Sequence, residues 1–275
     1  MKYLALLPLF LLGAAAAADE RPCGLGDPCR TASGAYHLAF PGGWDGSSKL
    51  PAVLFFHGHR SSGENVIKNK GLTAAFGKSG YLLIAPDGSS GPGFTAKGWP
   101  ARPDAVDRRD DIAFVTEVLD DVARRLPLDR GRVLVSGFSS GGSMAWHLGC
   151  YAKERFAGFA SVAGGLRRPN PPESCPAGPM RMIHIHGYAD QQVPLEGRAI
   201  RDWHQGDVFE SLAILRQTNQ CRSNPTRMES SGVLECRIWD GCGSGRDIQF
   251  CLHRGGHNLP DGWSERVLKW FENGS

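Results

Sequence analysis

The sequence predicts an α/β fold, a mostly parallel central sheet with helices on both faces in a three-layer sandwich. Three observations predict it. Apolar β-branched runs recur along the chain, segments with helical spacing separate them, and no Ser/Thr/Pro-rich linker, low-complexity tract or repeat breaks the alternation. Strands that are apolar almost throughout need cover on both faces, which a parallel sheet between helix layers supplies. The 275 residues suffice for one domain of this kind with a large core.

Residues 1–18 stand apart from that pattern. Lys2 precedes an apolar run from Leu4 to Leu12, and an alanine tract ends at Ala16-Ala17-Ala18 before Asp19. This is the layout of a secretory signal peptide. The run is too short for a membrane anchor, which needs about 20 residues. Cys23 follows Arg21-Pro22, not a pair of small residues, which argues against a lipoprotein. The expectation is an exported protein, secreted or periplasmic, with residues 19–275 forming a single domain.

Within that domain Ala52–Phe56, Tyr81–Ala85, Arg132–Ser136, Phe159–Val162 and Met180–Ile185 read as buried strands. Leu234–Trp239 and Asp247–Leu252 read as a further pair around a Gly-rich turn. Val66–Lys78, Asp107–Arg125, Ser140–Cys150, Asp207–Thr218 and Trp263–Phe271 read as helices. In Asp107–Arg125, Ile112, Val115, Val118, Leu119 and Val122 fall on one stripe. Asp107, Asp110 and Asp111 at its start and Arg124 and Arg125 at its end suit the helix dipole, so these aspartates read as structural.

Charge and cysteine usage narrow the class. With 31 basic and 28 acidic residues the net charge is +3, and no run of like charge suggests nucleic acid or a polybasic membrane patch. All eight cysteines lie after residue 18. An even count in an exported chain favours disulfides. Eight cysteines allow 105 pairings. If 234–239 and 247–252 form a hairpin, Cys236 and Cys251 fall opposite each other; Cys23–Cys29, Cys150–Cys175 and Cys221–Cys242 are the pairings assigned to the rest. No C-x-x-C occurs and the histidines lack zinc-ligand spacing, so no metal is expected. No cofactor is expected either, and the protein is expected to act as a monomer.

The chemistry concentrates at Gly137-Phe-Ser-Ser-Gly141, a G-x-S-x-G between a β-branched strand and a helix. That context is a nucleophile elbow, with Ser139 projecting from the sheet edge and the Ser140 amide facing an incoming carbonyl oxygen. A serine needs a base, and the base an orienting acid. Of nine histidines, His257 lies in a Gly-rich loop between the last strand and the last helix. His184 and His253 fall inside strand patterns and read as packed, and His186 precedes the acids in the required order of serine, acid, histidine. Asp190 follows the strand Met180–Ile185 and is the acid of choice, with Asp87 after Tyr81–Ala85 as the alternative. The His57-Gly58-His59 run ends an early strand, which makes the His59 amide the second oxyanion donor and His57 a residue that shapes the loop.

These motifs resemble the secreted α/β-hydrolases of the polyhydroxybutyrate depolymerase and feruloyl/acetylxylan esterase family. The matching pieces are Leu54-Phe-Phe-His-Gly, Ala85-Pro-Asp-Gly, Gly137-Phe-Ser-Ser-Gly-Gly-Ser-Met, His186-Gly-Tyr-Ala-Asp-Gln-Gln-Val-Pro and Gly255-Gly-His-Asn-Leu-Pro. The resemblance implies a Ser139–Asp190–His257 triad and hydrolysis of a carboxylic ester, with hydroxyalkanoate esters first and feruloyl or acetylxylan esters as the alternative. The family often appends a polymer-binding domain and commonly has tryptophan before the last proline. No such domain is expected here, and Leu259 stands before Pro260, which leaves small soluble esters open. Trp99, Trp203 and Trp263, with Phe94, are candidate walls for an acyl or aryl group. The rate is expected to rise as His257 loses its proton between about pH 5 and 8. A peptidase or a non-catalytic binding protein on the same scaffold are the rival readings.

Overall fold

The computed structural model describes Cys23 and residues 27–91, 94–105, 107–171, 173–200 and 203–274. The expected signal segment, residues 1–18, lies outside the described residues. In chain order the strands are β1 (Cys29–Arg30), β2 (Ala35–Ala39), β3 (Leu50–Phe56), β4 (Leu82–Pro86), β5 (Ser89–Gly91), β6 (Phe94–Gly98) and β7 (Leu128–Phe138). There follow β8 (Gly158–Val162), β9 (Met182–Gly187), β10 (Arg198–Ile200), β11 (Trp203–Gln205), β12 (Arg227–Ser231), β13 (Leu234–Trp239) and β14 (Ile248–His253). The helices are α1 (Gly63–Lys68), α2 (Lys70–Gly77), α3 (Asp111–Arg125), α4 (Ser140–Tyr151), α5 (Val208–Asn219) and α6 (Trp263–Glu272).

One sheet of ten strands runs in the order β1-β2-β4-β3-β7-β8-β9-β14-β13-β12. From β4 to β14 every neighbour is parallel, while β1 and β2 at one edge and β12 and β13 at the other pair antiparallel. The sandwich arises from strict alternation within fully buried strands. In β3, Leu54 and Phe56 pack into the core under α3, α4 and α5. Val53 and Phe55 point the other way, into the core under α1, α2 and α6. Each such aliphatic or aromatic side chain taken out of water contributes roughly 2 kcal/mol.

Three elements depart from expectation for identifiable reasons. The predicted helix 66–78 breaks at Asn69, whose extended backbone caps α1 and whose side chain accepts from the Leu72 amide at 3.1 Å to start α2. The predicted helix 107–125 begins only at Asp111, because Asp110 caps it by accepting from the Ile112 and Ala113 amides. Asp111 itself is buried and paired with Arg109 at 2.7 Å. The expected strand 180–185 is shifted to 182–187, which carries His186 into the sheet.

Cys236 faces Cys251 in the β13–β14 register and is bonded to it. The structure also joins Cys23–Cys29, Cys150–Cys175 and Cys221–Cys242. Among the described residues no helix is long and apolar enough to cross a membrane.

Candidate active site

The parallel strands deliver their C-terminal ends to one edge of the sheet, and three of them end in the groups singled out above. Strand β7 runs into Ser139, which holds φ 58° and ψ −118° before α4 begins. Positive φ in a non-glycine residue is strained, and here it turns the side chain away from the sheet. The Ser139 amide donates to Val162 O at 2.9 Å, and its carbonyl accepts from Ser143 N at 3.0 Å, so both sides of the turn are anchored. Any Cβ at Gly137 would lie 2.3 Å from Gly141 O, and one at Gly141 would lie 1.9 Å from Phe56 O. The elbow closes only with glycine at both places.

Strand β9 leads to Asp190, whose side chain is fully buried. Its Oδ1 accepts from the Gln192 and Val193 amides at 2.8 and 2.9 Å. Its Oδ2 lies 2.7 Å from His257 Nδ1, and His257 Nε2 lies 2.9 Å from Ser139 Oγ. Burial pushes the Asp190 carboxyl up, but the His257 and Val193 hydrogen bonds and the neighbouring imidazoles outweigh it and hold it below the usual range. A carboxylate that stays ionised there keeps the His257 proton on Nδ1, which leaves Nε2 free to accept from Ser139. The Phe138 ring packs 4.8 Å from the His257 ring and limits its tilt.

The Ser140 amide opens α4, where helix N–H groups lack internal partners. The His59 amide has no hydrogen-bond partner among the described residues. His57 shapes the loop between them: its Nδ1 meets Gly58 O at 2.7 Å while its Nε2 accepts from the Gly88 amide at 2.9 Å. Burial lowers its affinity for a proton, so it stays neutral. Asp87 is held by the Gly63 amide and Lys97 and does not reach His257.

The tryptophans do not behave as one wall. Trp99 is buried, its ring edge-on to Phe56 at 4.8 Å and its Nε1 donating to His57 O at 3.0 Å. Trp263 is packed between Phe55 and Phe76 at 6.2 and 5.8 Å, inside the core under α6. Both are corrected from substrate walls to packing residues, because Gly/Pro-rich flanks in the sequence mark a loop without telling whether its aromatic turns inward. Trp203 is half-buried, with Arg167 at 4.8 Å and Arg102 at 5.7 Å from its ring. It alone of the three is not buried. The Phe94 side chain lies outside the described residues.

Two features had no sequence signal. Arg167 is buried behind Ser140 and donates to its Oγ at 3.1 Å. Beneath Asp190 runs a buried line in which Trp146 Nε1 donates to His184 Nδ1 at 3.1 Å. His184 Nε2 then meets His186 Nδ1 at 3.0 Å, and His186 Nε2 meets Val193 O at 2.7 Å. Because the indole can only donate, every proton in the line points toward the Asp190 turn. Burial keeps both imidazoles neutral. Among the described residues no cluster of histidine, cysteine and carboxylate side chains could hold a metal ion.

Comparison with known proteins agrees with this architecture. A family model described as alpha/beta hydrolase fold matches residues 51–211. A Nocardia uniformis subsp. tsuyamanensis protein named "Putative esterase NocK" is 36% identical over 59% of this chain, which spans 47% of that protein's length. Feruloyl esterase C of Emericella nidulans is 24% identical, with 81% of this chain and 76% of that protein covered. The solved acetyl xylan esterase from Aspergillus awamori shares the fold, with TM-score 0.65, 15% identity and coverage of 86% of this chain and 93% of that one. The chain belongs to the alpha/beta hydrolase family.

Proposed function

We propose that this alpha/beta hydrolase cleaves feruloyl-type carboxylic esters through a covalent acyl-enzyme on Ser139. That it is an esterase, a carboxylic ester hydrolase, is the level at which its relatives agree. The single observation that carries the mechanism is the unbroken hydrogen-bonded line from Ser139 Oγ through His257 to Asp190. Ser139 Oγ attacks the ester carbonyl while His257 Nε2 takes its proton. The carbonyl oxygen, now an oxyanion, is met by the Ser140 and His59 amides, donors that contribute a few kcal/mol to the barrier. His257 gives the proton to the leaving alkoxide, and water repeats the sequence on the acyl-enzyme to release the acid. Asp190 stays ionised and fixes the imidazole tautomer. Neither a metal nor a cofactor enters these steps.

The relatives favour feruloyl or acetylxylan esters over the hydroxyalkanoate esters that head the expectation from the motifs. Trp203, half-buried beside Arg167, is the residue best placed to meet an aryl acyl group. The four disulfides support action outside the cell, with residues 1–18 proposed as the exporting segment.

A panel of methyl ferulate, acetylated xylan, soluble hydroxybutyrate oligomers and short p-nitrophenyl esters tests the reading on the mature chain and its Ser139→Ala variant. Preferred turnover of methyl ferulate, abolished in the variant, is expected. Preference for hydroxybutyrate oligomers would replace the substrate class, and equal rates in both proteins would remove Ser139 as nucleophile.

A further inference from the structure

Arg167 lies where a cation is hard to accommodate. It is 9% exposed, and among the described residues no carboxylate is paired with it. Burial, reinforced by the like charge of Arg102, pushes its pKa down to about 9. It therefore remains a cation at neutral pH. A buried charge without a counter-ion is costly, and proteins keep such groups where they act on something else.

The two terminal nitrogens of the guanidinium are committed to one structure, while Nε has no hydrogen-bond partner among the described residues. Nη1 donates to the carbonyls of Trp99 and Pro100, the latter at 2.7 Å, and Nη2 donates to Ser140 Oγ at 3.1 Å. Ser140 Oγ also donates to Trp99 O and accepts from Trp99 N, both at 3.2 Å. Trp99 in turn holds His57 O through its indole N–H. One side chain thus ties the elbow residue Ser140 to the 57–59 loop, the two segments whose amides meet the oxyanion. The same side chain places a fixed positive charge against the side chain of Ser140, 3.1 Å from its Oγ, in a buried setting of low dielectric where such a charge acts strongly. Neutral donors would satisfy the two carbonyls equally well; they would not supply the charge.

We propose that Arg167 is a positioning residue of the oxyanion hole that keeps the Ser140 and His59 amides aimed at one point and supplies the fixed charge behind them. The proposal rests on the assignment of Ser139 as nucleophile. Its test compares wild type, Arg167→Gln, Arg167→Lys and Ser139→Ala. The readouts are kcat and KM on a p-nitrophenyl ester, inhibition by a phenylboronic acid that forms an anionic tetrahedral adduct on the serine, and Tm. In Arg167→Gln we expect kcat to fall about 10²-fold, the scale of losing one oxyanion donor, with KM within about threefold. Boronate affinity should fall in step with kcat. Arg167→Lys should recover part of kcat, since the charge returns and the planar fork does not.

A glutamine variant with wild-type kcat and boronate affinity would overturn the proposal. So would lysine and glutamine variants that lose activity equally and only in proportion to the folded fraction. Should Arg167→Gln fail to fold, Arg167→Lys carries the test: a kcat about tenfold down at unchanged KM supports the role, and an unchanged kcat contradicts it. Ser139→Ala as active as wild type would instead sink the underlying nucleophile assignment.

Discussion

Strands β9 and β14 carry polar groups at both ends, and the two ends solve burial in opposite ways. Before them, Arg181 pairs with Asp247 at 2.7 Å, Arg266 with Glu229 at 2.9 Å and Arg227 with Asp240 at 2.9 Å, around a cavity of about 290 Å³. Every charge named there is answered by an opposite one, and the outer partners are exposed. After the same strands, Asp190 is fully buried and answered by two amides, the His257 imidazole at 2.7 Å and His186 Nε2 at 3.5 Å. Nearby Arg167 has no counter-carboxylate among the described residues. The cavity between the paired charges therefore reads as structural, and the end proposed as reactive is the one that leaves a strained serine and open amides.

The contrast breaks most readily at Asp190. In Asp190→Asn the amide oxygen still accepts from Gln192 and Val193, so the fold should hold, but the NH₂ group faces His257 and forces the wrong tautomer. We expect kcat to fall about 10⁴-fold, as in the corresponding change of a serine protease triad, with Tm nearly unchanged. A loss below tenfold would mean that the line of hydrogen bonds does not organise the chemistry.

A second test separates stability from activity. The Cys236–Cys251 bond joins β13 to β14 across a sequence separation of 15. Its double alanine variant should lose about 3 kcal/mol of unfolding free energy by urea titration and keep kcat. Reduced kcat in the fully folded variant would show that the site depends on the edge strands.

Acid titration sharpens the comparison for buried bases. His147, on α4, is 8% exposed and burial lowers its pKa to about 4. Unfolded histidine takes up a proton near pH 6.5, so between about 6.5 and 4 the unfolded chain binds more protons. Stability is thus full above that window and declines as pH falls through it, by at most about 3 kcal/mol from this residue. His147→Leu should flatten the decline in Tm between pH 6.5 and 4.5; an unchanged slope would assign it to other groups.

The smallest effect is expected at the exposed pairs. Arg227→Ala breaks contacts to Asp240 and Glu229 and should change unfolding free energy by less than about 1 kcal/mol, with kcat unchanged. A fall in kcat would erase the distinction between the two ends.

The fold class was legible because fully apolar strands and helical stripes are local patterns, readable from β3 or α3 alone. The groups that converge at the site were legible as well, since a glycine-flanked serine after a strand and polar turns after later strands mark the ends that a parallel sheet brings together. Asn69 escaped because a side-chain cap can split a helix without disturbing its apolar spacing. Trp99 and Trp263 escaped because loop composition does not tell which way an indole turns. Arg167 and the His184–His186 line escaped for a deeper reason: their meaning lies in what they lack or point at, and both are properties of the packed structure.

The most direct measurement is covalent labelling with a fluorophosphonate followed by peptide mapping, in the wild type and in His257→Ala. The account predicts a single adduct on Ser139, formed rapidly in the wild type and at least about 10³-fold more slowly without the histidine base. Labelling of another residue, or equal labelling rates in the two proteins, would contradict it.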